Sequence, residues 1–322
     1  MFSVEVRWLS HRTHETSLRA RPTYRGRGIG QRRPRTAMAS ASVDPLPFGV
    51  FTVYSTQNAE QSALAQRFEA MTLATQPSAG ARVRVRSTEL QGLQRDDGAE
   101  DTFRSVQWYR VLVRKVTHWA ELAAQHPGQL LLCSDNDITL LPGWRGALLR
   151  AYVEAGRPDL CFQREGGDDP FFAAIPYNSG FFLMNGSARA ASFWRHVAAR
   201  TEREQPFTGD QAVVNNLLVA RQADGEPGCT ANPLSLRHAS FPPRLVHGGP
   251  SVPGDAALLE ARAHHATASG SARGKLLVLE RFLDAWLTAR NATREQLGLP
   301  AAASWTIEPL DSPTWSTVVP SL

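Results

Sequence analysis

The sequence predicts a single α/β domain on a mainly parallel central sheet flanked by helices, and three observations carry that prediction. Strand-like and helix-like segments alternate over roughly 260 residues. One of them, QLLLCSDND, is short and apolar and then abruptly acidic, as a strand buried on both faces is where it delivers polar groups to the carboxyl edge of a sheet. The chain has 322 residues and is 42% hydrophobic, enough to bury a sizeable core.

The elements follow in order. From Phe48, FGVFTVYST is β-branched and aromatic and reads as a first strand, and NAEQSALAQRFEAMTLA after it has helical spacing. ARVRVRSTEL alternates as a strand does; a polar loop, QRDDGAED, leads to a long helix through TFRSVQWYRVLVRKVTHWAELAAQ, stopped by His126-Pro127-Gly128. After the LLLCSDND strand and Leu140-Leu141-Pro142-Gly143-Trp144, a helix is expected over about 144–155, then strands at PDLCFQRE and NSGFFLMN separated by a Gly/Asp loop. Helices over about 187–203 and 210–220 follow, then a loop-rich stretch from Arg221 to Pro243, a short strand ending in LVHGG, and an amphipathic helix at KLLVLERFLDAWLTAR. No internal repeat is present.

Charge and cysteine usage exclude several classes. The net charge is +5, but residues 1–42 hold nine arginines against Glu5 and Glu15, a net of +7, which leaves −2 for the remainder. A nearly neutral folded part argues against a specific nucleic-acid face. No apolar run reaches the ~18–20 residues of a transmembrane helix. Cys133, Cys161 and Cys229 are too few for a disulfide scaffold and lack zinc-ribbon spacing. Residues 1–43 are read as a disordered basic leader, with the composition of an organellar transit peptide or of an over-extended start in a GC-rich gene. The domain then spans 44–322.

Asp135-Asn136-Asp137 is the strongest local signal. On an extended segment residues i and i+2 point the same way, so both carboxylates face one crevice, and two hard oxygen donors suit Mg²⁺ or Mn²⁺ beside a phosphate. In Asn178-Ser179-Gly180 the glycine permits close backbone approach to a ligand, and the asparagine can both donate to and accept from sugar hydroxyls. Asp210 and Gln211 open a helix, where the aspartate could also be an N-cap. Only two of the 35 basic residues are lysines, Lys115 and Lys275, which suggests sites needing a compact point charge. Asp168 and Asp169 sit in a Gly-rich loop and read as solvated acids; Trp144, Trp194 and Trp286 read as core. Asn291-Ala292-Thr293 is a glycosylation sequon.

Taken in order, Lys115 on a helix, LLLCSDND, Asn178-Ser179-Gly180-Phe181-Phe182 and Asp210-Gln211 resemble the nucleotide-diphospho-sugar transferase family of GT-A glycosyltransferases, from about Phe48 to Trp286. The resemblance implies a GT-A-like fold and a retaining, Mn²⁺- or Mg²⁺-dependent glycosyltransferase. Its donor would be a nucleoside diphosphate sugar and its acceptor a hydroxyl of a glycan or protein. It implies metal ligation by Asp135, Asp137 and a C-terminal histidine, with His265 chosen over His264. Donor binding would fall to Ser55, Thr56, Lys115, Asp135, Asn178, Gly180, Gln211 and Lys275, with Asp210 orienting the donor and Lys275 stabilising the leaving diphosphate. The family would suggest a Golgi lumen.

Three alternatives stay open at this level. A sugar nucleotidyltransferase would show a Gly-rich phosphate loop after the first strand, and VYSTQNAEQ has none. A nucleotide-sugar hydrolase would use the same site with water as acceptor. A non-catalytic member would bind a glycan or protein.

Overall fold

The computed structural model describes residues 48–54, 59–76, 84–89, 106–166, 175–204, 208–219, 235–267 and 271–301. The leader, Ser55, Thr56, Asp168, Asp169 and Cys229 lie outside the described residues. Among those described, the order is β1 (Phe48–Tyr54), α1 (Ala59–Ala74), β2 (Arg84–Glu89), α2 (Val106–Gln125), β3 (Leu130–Ser134), β4 (Ile138–Leu140), α3 (Trp144–Glu154) and β5 (Leu160–Arg164). There follow β6 (Tyr177–Asn185), α4 (Ala188–Arg203), α5 (Asp210–Leu218), β7 (His238–Ser240), β8 (Val246–Gly248), α6 (Asp255–Glu260), β9 (Ala263–His265) and α7 (Ala272–Ala289).

Six of the described strands form a sheet in the order β2-β1-β3-β6-β5-β7, all parallel except β6, which runs antiparallel to both its neighbours. The expected mixed α/β architecture with a mainly parallel sheet is therefore present. β3 is central and wholly buried. Period-2 alternation sends Leu131 and Cys133 to one face, with Trp119, Phe182 and Trp194, and Leu130 and Leu132 to the other, with Val50, Phe68, Trp144 and Phe181. On the first face α2 packs against α4, and Phe182 lies edge-on to Trp119 and stacked on Trp194. Trp144, Trp194 and Trp286 are core residues, as the sequence suggests.

Four short elements go beyond the sequence reading: β4, β7, α6 and β9. Three-residue strands have no periodicity to read, and their partners fix them. β4 pairs antiparallel with β9, and β9 parallel with β8, in a small separate sheet. The register sets Ile138 opposite His265, directly after Asp137, and the Ala266 N–H donates to the Asp137 carbonyl at 3.0 Å. A buried guanidinium ties this sheet to its surroundings: Arg67 on α1 donates from Nη1 to Thr139 Oγ1 at 2.6 Å and pairs through Nε with Glu280 on α7 at 2.7 Å. Removing Glu280 would leave that charge buried and only partly paired, a change that typically costs about 3–5 kcal/mol.

The β5–β6 ladder slips near the carboxyl end of β5. Phe162 faces Phe182, but the next residue, Gln163, faces Asn178, so Ser179, Gly180 and Phe181 have no register partner on β5. Such irregularities re-aim side chains next to active sites. Here the surplus backbone turns toward β3, and the Asp135 N–H donates to the Gly180 carbonyl at 2.6 Å.

Candidate active site

The carboxyl edge of β3 delivers Asp135 and Asp137, although the chain bends at Asn136 and Asp137 instead of running straight. Asp137 is 2% exposed. Its Oδ2 lies 2.6 Å from Lys275 Nζ, and its Oδ1 lies 3.1 Å from His265 Nε2. Lys275 sits in the first turn of α7, which Ser271 caps by accepting from the Gly274 N–H. A cation at a helix N-terminus opposes the helix dipole, so its placement there needs a compensating anion, and Asp137 is that anion.

His264 faces away from this group. Neighbouring residues on a strand point to opposite faces, and the His264 ring stacks on Phe282 at 4.0 Å with Nδ1 3.1 Å from His247 Nδ1. Burial, with His247 and His265 nearby, holds its pKa well below the usual imidazole value. His265 turns toward the carboxylates, and its Nδ1 meets Gln163 Oε1 at 2.8 Å. Asp135, Asp137 and His265 thus offer ligand atoms that all lie within 4.8 Å of one another.

These residues fit a divalent cation. Asp137 Oδ1 is buried without a hydrogen-bond partner although the His265 nitrogen is close by. With the ring proton on Nδ1, Asp137 Oδ1 and His265 Nε2 converge as two lone-pair donors, an arrangement that a cation completes. Two carboxylates with one imidazole suit Mn²⁺, and Mg²⁺ less well. Gly180 keeps the space open: a methyl there would lie 2.5 Å from Asp135 Oδ2, 2.7 Å from His265 Cε1 and 3.0 Å from Asn178 Oδ1.

Electrostatics separates the two aspartates. Burial works against the charge of Asp137, but Lys275 outweighs it, with His265 adding to the effect when its ring is protonated, and the carboxyl is held well below the usual range. For Asp135 burial wins over Lys115, with the Asp137 charge adding to it, and the pKa is raised. Lys275 is raised by Asp137 against the effect of burial.

A second layer stands beside the first. Lys115 Nζ lies 3.2 Å from Asp135 Oδ1 and 2.9 Å from Asp210 Oδ2, and Ser179 Oγ donates to the same Asp210 oxygen at 3.0 Å. Burial disfavours the Lys115 charge, but Asp135 and Asp210 more than compensate and raise its pKa. Asp210 is the first residue of α5, with Gly209 as its N-cap, so its carboxylate serves Lys115 and not the helix end. Asn178 accepts from the Gly180 N–H at 2.7 Å through Oδ1 and donates from Nδ2 to Glu165 Oε2. Gln211 Nε2 donates to that same oxygen at 3.2 Å.

Gln163 and Glu165 are therefore candidate site residues that the sequence reading did not select, and Ser179, named there only as part of Asn178-Ser179-Gly180, gains a partner in Asp210. A signal for the first two was present in composition, since PDLCFQRE passes from apolar to polar at its carboxyl end as LLLCSDND does, but the slip at Gln163 and the end of β5 at Arg164 put their facing beyond period 2.

The profile of one family, described as nucleotide-diphospho-sugar transferase, matches residues 78–242. No curated protein matches the chain. Among solved structures, a glycosyltransferase involved in the glycosylation of the major capsid of PBCV-1 is similar, at 13% identity and a TM-score of 0.47, covering 72% of this chain and 98% of that one. The glycosyltransferase GlyE of Streptococcus pneumoniae TIGR4 is similar at 12% identity and a TM-score of 0.36, covering 61% of this chain and 45% of its own. Its apo form gives 12% identity and a TM-score of 0.32, covering 53% of this chain and 43% of its own. This chain thus spans less than half the length of the pneumococcal chains.

Proposed function

The chain belongs to the nucleotide-diphospho-sugar transferase family and is a glycosyltransferase; from that premise we propose that it moves a sugar, with divalent-metal dependence and retention of anomeric configuration, from a nucleoside diphosphate donor to a hydroxyl of a glycan or protein. The observation that carries the metal part is the convergence of Asp135, Asp137 and His265 within 4.8 Å, beside Lys275. Retention follows from the family resemblance.

In this reading Asp135, Asp137 and His265 hold Mn²⁺. The bound ion supplies Lewis acidity toward the diphosphate. Lys275 offers its ammonium to the same group, stabilising the charge that grows there as the glycosidic C–O bond breaks. Lys115 pairs with Asp135 and Asp210 at once and holds both in place. Gly180 admits the donor, and Asn178, Gln211 and Glu165 face its sugar as one hydrogen-bonded unit. Ser55 and Thr56, outside the described residues, are further donor-binding residues only on the family resemblance.

The test is calorimetric titration of Mn²⁺, then of nucleoside diphosphates, on the wild type and Asp137→Asn. The substitution keeps shape and removes one anionic ligand, so metal and nucleotide affinity should fall together while the fold stays intact. Nucleotide affinity equal in Mn²⁺ and in chelator would refute the metal bridge.

A further inference from the structure

We propose that Gln163 is a positioning residue that sets the tautomer of His265 and thereby makes it a metal ligand. This rests on the metal reading above. Gln163 is 1% exposed, and its Oε1 lies 2.8 Å from His265 Nδ1. An amide oxygen only accepts, so the imidazole proton sits on Nδ1 and the Nε2 lone pair is left to face Asp137 Oδ1, the buried oxygen that has no hydrogen-bond partner. The opposite tautomer would carry a proton on Nε2, donate it to Asp137, and fill the space between them with a hydrogen bond in place of a cation.

The surrounding backbone is shaped for this amide. The slip in the β5–β6 ladder sets Gln163 opposite Asn178; unslipped pairing would carry on from Phe162–Phe182 and set it opposite Phe181. On the other side Gly248, paired in register with His265, makes room: a methyl at 248 would lie 2.7 Å from Gln163 Nε2. Two separate backbone features therefore converge on one uncharged side chain whose hydrogen-bond partner is the metal-facing histidine. Partners of this kind fix ring orientation and basicity in metal sites.

The experiment titrates Mn²⁺ alone into the wild type, Gln163→Leu and Gln163→Glu, with melting temperatures in chelator and long-range ¹H–¹⁵N spectra of the imidazoles of the metal-free wild type. Gln163→Leu should weaken Mn²⁺ binding roughly 10- to 100-fold, whereas Gln163→Glu, which still accepts from Nδ1–H, should stay within about threefold of wild type. The spectra should report His265 as the Nδ1–H tautomer, and they decide the matter even if Gln163→Leu fails to fold. Wild-type affinity in Gln163→Leu, a Gln163→Glu as weak as Gln163→Leu, or an Nε2–H His265 would each overturn the assignment while leaving the metal reading intact. A wild type that takes up no Mn²⁺ would instead refute the metal reading, and this inference with it.

Discussion

Gly180→Ala isolates the geometry of the site from its chemistry, because it adds one methyl and removes no ligand. Gly180 lies in β6, outside the left-handed region, so the backbone accepts alanine and the effect is steric. The methyl would sit 2.5 Å from Asp135 Oδ2, 2.7 Å from His265 Cε1 and 3.0 Å from Asn178 Oδ1, where comfortable contact needs about 3.5 Å or more. Asp135 and His265 must therefore retreat by roughly 0.5–1 Å, well beyond the ~0.2 Å tolerance of a metal–ligand bond. Overpacking costs about 1–3 kcal/mol, and the side chain of Asp135 is 29% exposed and free to yield, so we place the stability loss near 1 kcal/mol, or about 2–4 °C in Tm. Displacing two of three ligands should cost more in binding: a rise in the Mn²⁺ Kd of about 100-fold, near 2.7 kcal/mol. Calorimetric titration and thermal melts measure both on the same samples. Gly254→Ala is the control, since a methyl there meets nothing within 4 Å. A Gly180→Ala protein with wild-type Mn²⁺ affinity would show that Asp135 and His265 do not hold the ion in this arrangement.

Lys275→Arg should lower turnover roughly 10- to 100-fold, about 1.4–2.7 kcal/mol, in a chain otherwise rich in arginine, because a planar guanidinium cannot take the 2.6 Å seat of an ammonium on Asp137; nucleoside diphosphate release from a donor identified by thermal shift reads this, and wild-type turnover would refute it. Acid should destabilise the fold below the ordinary imidazole pKa of about 6.5, since burial lowers the pKa values of His238, His247 and His264. Their contribution is present at pH 7 and lost as pH falls through the folded-state values, most strongly for the buried His264, by up to about 1.4 kcal/mol per pH unit, and less for the partly exposed His238 and His247. His264→Phe, which can keep the stack on Phe282, should flatten the Tm profile between pH 7 and 5 in chelator, and profiles parallel to wild type would refute the assignment.

The legible parts of this protein are those with enough residues to display a period. The wholly buried β3 and the long helices α2 and α7 could be read directly, and β3 carried Asp135 and Asp137 with it. The choice between His264 and His265 could not be read, because it depends on β9, a three-residue strand with no period of its own, and on which residue of β4 it pairs with. Gln163 and Glu165 were hidden differently: their strand was visible, but their facing depends on a slip set by β6. Asn178 and Gln211 were visible as polar residues in a family pattern, while the carboxylate they jointly hold was not.

The short β4–β9 ladder joins the middle of the sequence to its later part, with Asp137 at one end and His265 across from it. During synthesis both aspartates emerge with β3 while the histidine and Lys275 are still to be made, so the nascent chain carries only part of the candidate cation site. The pairing of β9 with β4 brings in the histidine, and the docking of α7 brings in the ammonium. The candidate site is therefore assembled from distant parts of the sequence, and it would lose its ammonium if the C-terminal helix came away.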